Sequence, residues 1–166
     1  EDISDFQIEG ISVGDSLLDY MSEEEILKEI EINKGRYFFL EDNSVFVEVY
    51  KFEDLKTYDS MSFFVKPDDK KFLIYGVKGA IDYSEDFKGC IKKQNEIVNE
   101  ISEMLRYAKK DEGTYNHRGD VTNRSVVKFV RFTYDSGGNI IIQCYDFEEN
   151  LRIKNDWMEP LDIAID

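Results

Sequence analysis

The chain has 166 residues and a formal net charge of −15, from 36 acidic and 21 basic side chains. Its length suits one domain with a proper core, and 42% hydrophobic and 14% aromatic residues exclude a disordered polymer. Such an acidic chain repels phosphate backbones and anionic lipid surfaces, which argues against nucleic acid as a ligand. No stretch approaches the roughly 20 apolar residues that span a bilayer, so membrane insertion is not expected.

The charge is uneven. Residues 1–59 carry 17 acidic and 5 basic side chains, whereas residues 60–124 carry 11 and 12. Solubility accounts for the excess in the simplest way; the sharper reading is an acidic face that docks a basic protein. The chain opens Glu1-Asp2-Ile3. Two readings stay open: a mature protein after signal-peptide removal, or a sequence cut at that point.

In chain order, the first candidate is Gly10-Ile11-Ser12-Val13-Gly14, which matches the nucleophile-elbow pattern of serine hydrolases. With His117 and an Asp, a triad order is formally available. The elbow belongs to a larger parallel sheet than this chain allows, so Ser12 reads as a polar turn residue. Gly14-Asp15-Ser16 then ends the opening turn and caps a helical turn over Leu17–Met21. Ser22 with Glu25 three residues on is a capping box for a second short helix, which Asn33-Lys34-Gly35 ends. Strand patterns follow at 37–40 and 45–50 around a turn at 41–44, then at 62–66 and 72–83 around Pro67-Asp68-Asp69-Lys70. Phe38, Phe39, Phe46, Tyr50, Phe52, Phe63, Phe64, Phe72 and Tyr75 crowd these four strands. Core packing is their expected use, with an aromatic outer face as the alternative.

Ser84 is expected to cap a long helix, with Glu85 and Asp86 in its first turn and Lys109 and Lys110 at its end. Cys90 falls on its apolar stripe with Phe87, Ile91, Gln94, Ile97, Val98, Ile101, Met104, Leu105 and Ala108. Residues 111–124 show no apolar period and read as an exposed loop. It contains the lone histidine, His117, without locking apolar neighbours. It also contains the adhesion-type tripeptide Arg118-Gly119-Asp120 and the sequon Asn123-Arg124-Ser125, neither supported by its surroundings. Residues 126–134 and 140–147 form a hairpin across the turn at 135–139, with Ile140, Ile142 and Cys144 on one face. Residues 148–159 read as irregular around Trp157, and Leu161–Ile165 as a last edge strand.

The sum is one α+β domain over residues 1–166. It is a mostly antiparallel sheet of about seven strands, with one long helix packed on it and two short N-terminal helices. If the strand face receives the helix, Cys90 and Cys144 meet. A disulfide is expected, closing a loop worth on the order of 4 kcal/mol in the chain-entropy model; two free buried thiols are the alternative. No cofactor and no metal is expected. One histidine and two cysteines on separate elements make no zinc tetrad. Asp82, Ser84 and Asp86 imitate a calcium loop, but Phe87 stands where that loop needs glycine. Asp135 and Asn139 read as a plain turn.

The opening, Asp5–Leu18 followed by Ser22–Ile26, resembles the mature start of a group of uncharacterised small exported proteins of marine bacteria, periplasmic or secreted. Thr57-Tyr58-Asp59, Cys90-Ile91-Lys92-Lys93, Asp135-Ser136-Gly137 and Cys144-Tyr145-Asp146 extend that resemblance over most of the chain. It implies export and makes both cysteines part of the shared pattern, but it brings no activity. Residues 6–31 are also similar to small modules of outer-membrane assembly lipoproteins and β-lactamase inhibitor proteins. The expected function is therefore an exported, non-catalytic protein-binding module. The alternatives are an acidic immunity or inhibitor protein for a basic partner, and a small serine hydrolase using Ser12. The acidic N-terminal third and residues 111–124 are the surfaces expected to matter.

Overall fold

The computed structural model describes residues 3–33, 45–135 and 137–166. The fold is α+β. Among the described residues, seven strands lie in the order β1-β2-β3-β7-β6-β5-β4: β1 Val47–Lys51, β2 Ser60–Val65, β3 Gly76–Asp82, β4 Lys109–Asn116, β5 Val126–Thr133, β6 Asn139–Asp146 and β7 Pro160–Ile165. Antiparallel pairing joins β1 to β2, β4 to β5 and β5 to β6. Three α-helices of the described residues accompany them: α1 Glu23–Asn33, α2 Phe87–Ser102 and α3 Glu149–Asn155. The chain divides into two compact units, Glu1–Gly79 with Ile165–Asp166, and Ala80–Ala164. The expected first hairpin, at 37–50, has its leading strand and turn outside the described residues.

In the first unit, Ser16 Oγ accepts the Leu18 N–H and opens a short 3-10 turn, Leu17–Asp19. α1 starts on the capping box that the sequence spells. Ser22 N–H donates to Glu25 Oε2 at 2.8 Å, and Glu25 N–H donates back to Ser22 Oγ at 3.3 Å. α1 contacts β1, and Glu29 Oε2 accepts the Tyr50 N–H of that strand at 3.2 Å. The core holds Leu17, Ile26, Val49, Phe63 and Ile74, all fully buried. The early aromatics divide: Phe63 and Phe72 are core, while Phe52 and Tyr75 are exposed. Phe38 and Phe39 lie outside the described residues. Gly79 is glycine because the Tyr58 ring lies against it; a Cβ there would sit 2.6 Å from Tyr58 Cδ1.

Glu48, 1% exposed, is the buried charge of this unit. Lys78 Nζ stands 3.2 Å from its Oε1, and the hydroxyls of Ser62 and Tyr50 donate to the same carboxylate. A buried carboxylate needs such partners to offset its lost hydration.

In the second unit, α2 lies against β6. It begins later than the sequence suggests. Asp86, not Ser84, is the N-cap and accepts the Gly89 N–H at 2.9 Å, while Ser84 bonds to Asp82. Asp86 competes better for this place because an ionised carboxylate accepts more strongly than a hydroxyl. α2 also ends sooner, at Ser102. Lys109 and Lys110 therefore open β4 rather than closing a helix, and the expected loop at 111–124 is strand as far as Asn116. β4 is exposed on nearly every residue, so it carries none of the alternation that reveals a strand.

Two further differences fall near the C-terminal end of this unit. Residues 149–155, expected to be irregular, form α3, capped by Glu148 through the Leu151 N–H and closed by Asp156 in the left-handed conformation. Pro160–Ile165 is not an edge strand; it lies between β3 and β6. Its Leu161 and Ile165 are buried, and Pro160 is tolerated because it stands first in the strand.

Candidate binding surface

The disulfide forms as expected. Cys90 of α2 is bonded to Cys144 of β6, with Cα atoms 6.0 Å apart and a sequence separation of 54. Both residues are fully buried. One turn further along α2, Gln94 Nε2 donates to the carbonyls of Ile142 and Lys128, 2.8 and 3.2 Å away. These links fix which face of β4–β6 the helix covers. Cys144, Ile142 and Ile140 face α2, and their register partners Lys128, Val130 and Phe132 share that face.

Alternation then assigns the opposite face. Tyr115 of β4, Val127 and Phe129 of β5, and Gln143 and Tyr145 of β6 lie on it, with Arg131 at one end. The chain has 36 acidic residues, and β4–β6 place one of them, Asp111, on this face. The rings are in sequence with one another: Tyr115 and Phe129 have centroids 6.0 Å apart, and Arg131 stacks its guanidinium 5.3 Å from the Phe129 centroid. Gly113 makes room for the Phe129 ring, since a Cβ there would lie 3.2 Å from Phe129 Cε1. Gln143 Nε2 donates to Tyr115 Oη, and Tyr145 Oη donates to Gln143 Oε1. The layer roofs Val127, which has no exposed surface.

His117 extends this layer. The sequence suggests a histidine in an open loop, but its N–H donates to the Ser125 carbonyl at 2.9 Å and carries the β4–β5 register one residue on. Its ring meets Phe147 at 5.0 Å, Trp157 at 5.5 Å and Tyr145 at 6.3 Å, each edge to face. Nδ1 accepts the Gly119 N–H, which makes Nε2 the protonated nitrogen of the neutral ring. Burial pushes the His117 pKa below its ordinary 6.5, against the opposing pull of the Asp120 carboxylate.

Asp120 folds inward. It is buried, and its carboxylate accepts the Thr122 hydroxyl and the N–H groups of Thr122, Arg124 and Ser125, at 2.6–3.0 Å. The Thr122 hydroxyl leads in holding this carboxyl far below the usual carboxylate range. Arg118-Gly119-Asp120 is therefore part of a closed turn, not a presented tripeptide. In the sequon, Asn123 is exposed, but Ser125 is buried and its Oγ accepts the Glu148 N–H.

The other candidates are placed as follows. Ser12 is buried; its N–H donates to Asp15 Oδ2 at 3.0 Å, and Tyr20 Oη donates to the same oxygen at 2.7 Å. That bond pushes the Tyr20 pKa up to about 12. Gly10 and Gly14, with φ of +81° and +93°, shape the turn around Ser12. Ser12 belongs to the first unit and His117 to the second. Asp82 is engaged with Ser84, Asp86 caps α2, and Asn139 Oδ1 accepts the Thr133 hydroxyl. Among the described residues no group of three His, Cys, Asp or Glu side chains is arranged to hold a metal ion.

Composition and local pattern do not mark Tyr115, Phe129, Tyr145, Phe147 and Trp157 as one surface. A signal existed in the spacing Tyr115-x-His117, Val127-x-Phe129 and Tyr145-x-Phe147, an alternation that places each pair on one strand face. Comparison with known proteins adds nothing to this geometry: no family model, no curated protein and no solved structure matches the chain.

Proposed function

We propose that the chain is an exported, non-catalytic binding module that engages a protein partner through the outer face of β4–β6. One observation carries the reading. In an acidic chain, this face gathers tyrosine, tryptophan, phenylalanine and arginine side chains around His117 and carries a single carboxylate. Aromatic residues and arginine are the types that interface centres enrich, and carboxylates are depleted there. Export, to a periplasm or outside the cell, is supported by the buried disulfide, which persists in oxidising compartments. It is compatible with the finding that no helix of the described residues is long and apolar enough to cross a membrane. The resemblance to small exported bacterial proteins points the same way.

The net charge of −15 favours a cationic partner and so keeps the immunity or inhibitor protein as the second reading. The test is affinity capture from the native host at low and at physiological salt. Its companion is a Tyr145→Ala/Trp157→Ala variant. The reading expects one main partner, weakened by salt and released by the variant. Capture that ignores both salt and variant, or no partner, overturns it.

A further inference from the structure

Resting on that reading, we propose that β4 is a strand-addition site whose outer edge receives an extended, cationic segment of the partner protein. Among the described residues, β4 closes one end of the strand order and pairs only with β5. Its eight residues keep one register throughout, without bulge or proline, and seven of them are exposed. Such an edge presents a row of main-chain N–H and C=O groups at alternate residues, ready for another strand. β1, at the other end of the order, is treated differently: the Glu29 carboxylate accepts its Tyr50 N–H. Among the described residues, no side chain does this for β4.

Anchors flank the edge. Tyr107 is 75% exposed, with the Arg106 guanidinium 5.0 Å from its ring centroid, and Tyr115 is 40% exposed at the far end of the strand. An exposed tyrosine beside arginine, as at Tyr107, suits the energetic centre of an interface.

Charge selects the occupant. The chain carries −15, most of it in residues 1–59, a long-range field that draws a cationic partner and disfavours a second copy. On the edge itself, Lys110 is already paired with Glu112 at 2.9 Å, leaving Asp111 and the second Glu112 oxygen to meet arginine or lysine on the incoming strand. Antiparallel self-pairing centred on Asp111 or on Glu112 would set the same carboxylate opposite itself, which is destabilising.

The experiment is amide hydrogen exchange on the ¹⁵N-labelled protein, with a blocked ten-residue peptide alternating valine with arginine as the probe. At ten times its Kd, exchange of the outward β4 amides is expected to slow about tenfold. The same peptide with alternate amides N-methylated keeps every charge, and is expected to give no slowing. Proline replaces whichever of Asp111 or Glu112 has the faster amide in the free protein. That change spares the β4–β5 ladder and is expected to remove the effect. Equal slowing by the methylated peptide overturns the proposal. So does slowing on the aromatic face without β4, an outcome that leaves the binding-module reading standing. No slowing at β4 overturns strand addition alone, because the capture experiment decides the wider reading separately. Slowing along β4 without peptide, with a dimer in sedimentation, overturns it in favour of a second copy.

Discussion

Asp120 shows how much one carboxylate can organise. Its folded pKa is depressed, led by the Thr122 hydroxyl, so its contribution is fully present above the unfolded value near 3.8 and is lost as pH falls through the folded value. Asp120→Asn is expected to lower stability at neutral pH and to flatten the acid limb of the stability profile. Denaturant midpoints between pH 2 and 7 measure both; an unchanged acid limb would refute the assignment. Glu48 is the second single-residue test. Lys78→Met leaves its buried carboxylate short of a partner and is expected to cost about 3–5 kcal/mol. Adding Glu48→Gln to Lys78→Met is expected to recover part of that loss. Equilibrium unfolding of the four proteins gives the coupling, and full additivity would mean that the pair does not interact.

At the scale of elements, the disulfide joins a helix to a strand far apart in sequence. Cys90→Ala/Cys144→Ala is expected to destabilise the protein by about 2–5 kcal/mol, and the intact mass of the native protein is expected to rise by two hydrogens on reduction. An unchanged mass would remove both the bridge and the compartment argument built on it. Leu161, fully buried on β7, is expected to cost about 2–5 kcal/mol on replacement by alanine; a near-neutral result would mean that β7 is not a core strand. The bridge was legible because the helical stripe through Cys90 and the strand alternation through Cys144 are independent local patterns that meet only if the two faces pack. α1 was legible in Ser22 and Glu25, whose capping bonds are local. β4 was not, because an edge strand exposed on both faces has no period to read. α3 was hidden for a similar reason: it is short, polar, and held by its Glu148 and Asp156 caps. His117 looked open because its aromatic neighbours come from Tyr145, Phe147 and Trp157, far along the chain. Tertiary placement, not local composition, encloses it.

For the whole molecule, charge and surface act on different steps of association. A net charge of −15 governs encounter and is screened within about 8 Å at physiological ionic strength. On the proposed function, the aromatic face governs how long a complex lasts. Raising salt from 50 to 300 mM is therefore expected to slow association with the captured partner by at least about tenfold, with little change in dissociation. Tyr145→Ala/Trp157→Ala is expected to do the reverse. Surface plasmon resonance separates the two, and a salt effect confined to dissociation would contradict the division.

The place of β7 bears on how the chain is made. β7, the last of the described strands in chain order, lies between β3 and β6, so each of those strands lacks one of its two neighbours until residues 160–165 have emerged. Long-range pairing of this kind delays folding. A nascent chain kept from closing its sheet stays threadable, as the proposed export in an unfolded state, before the cysteines are oxidised, would require.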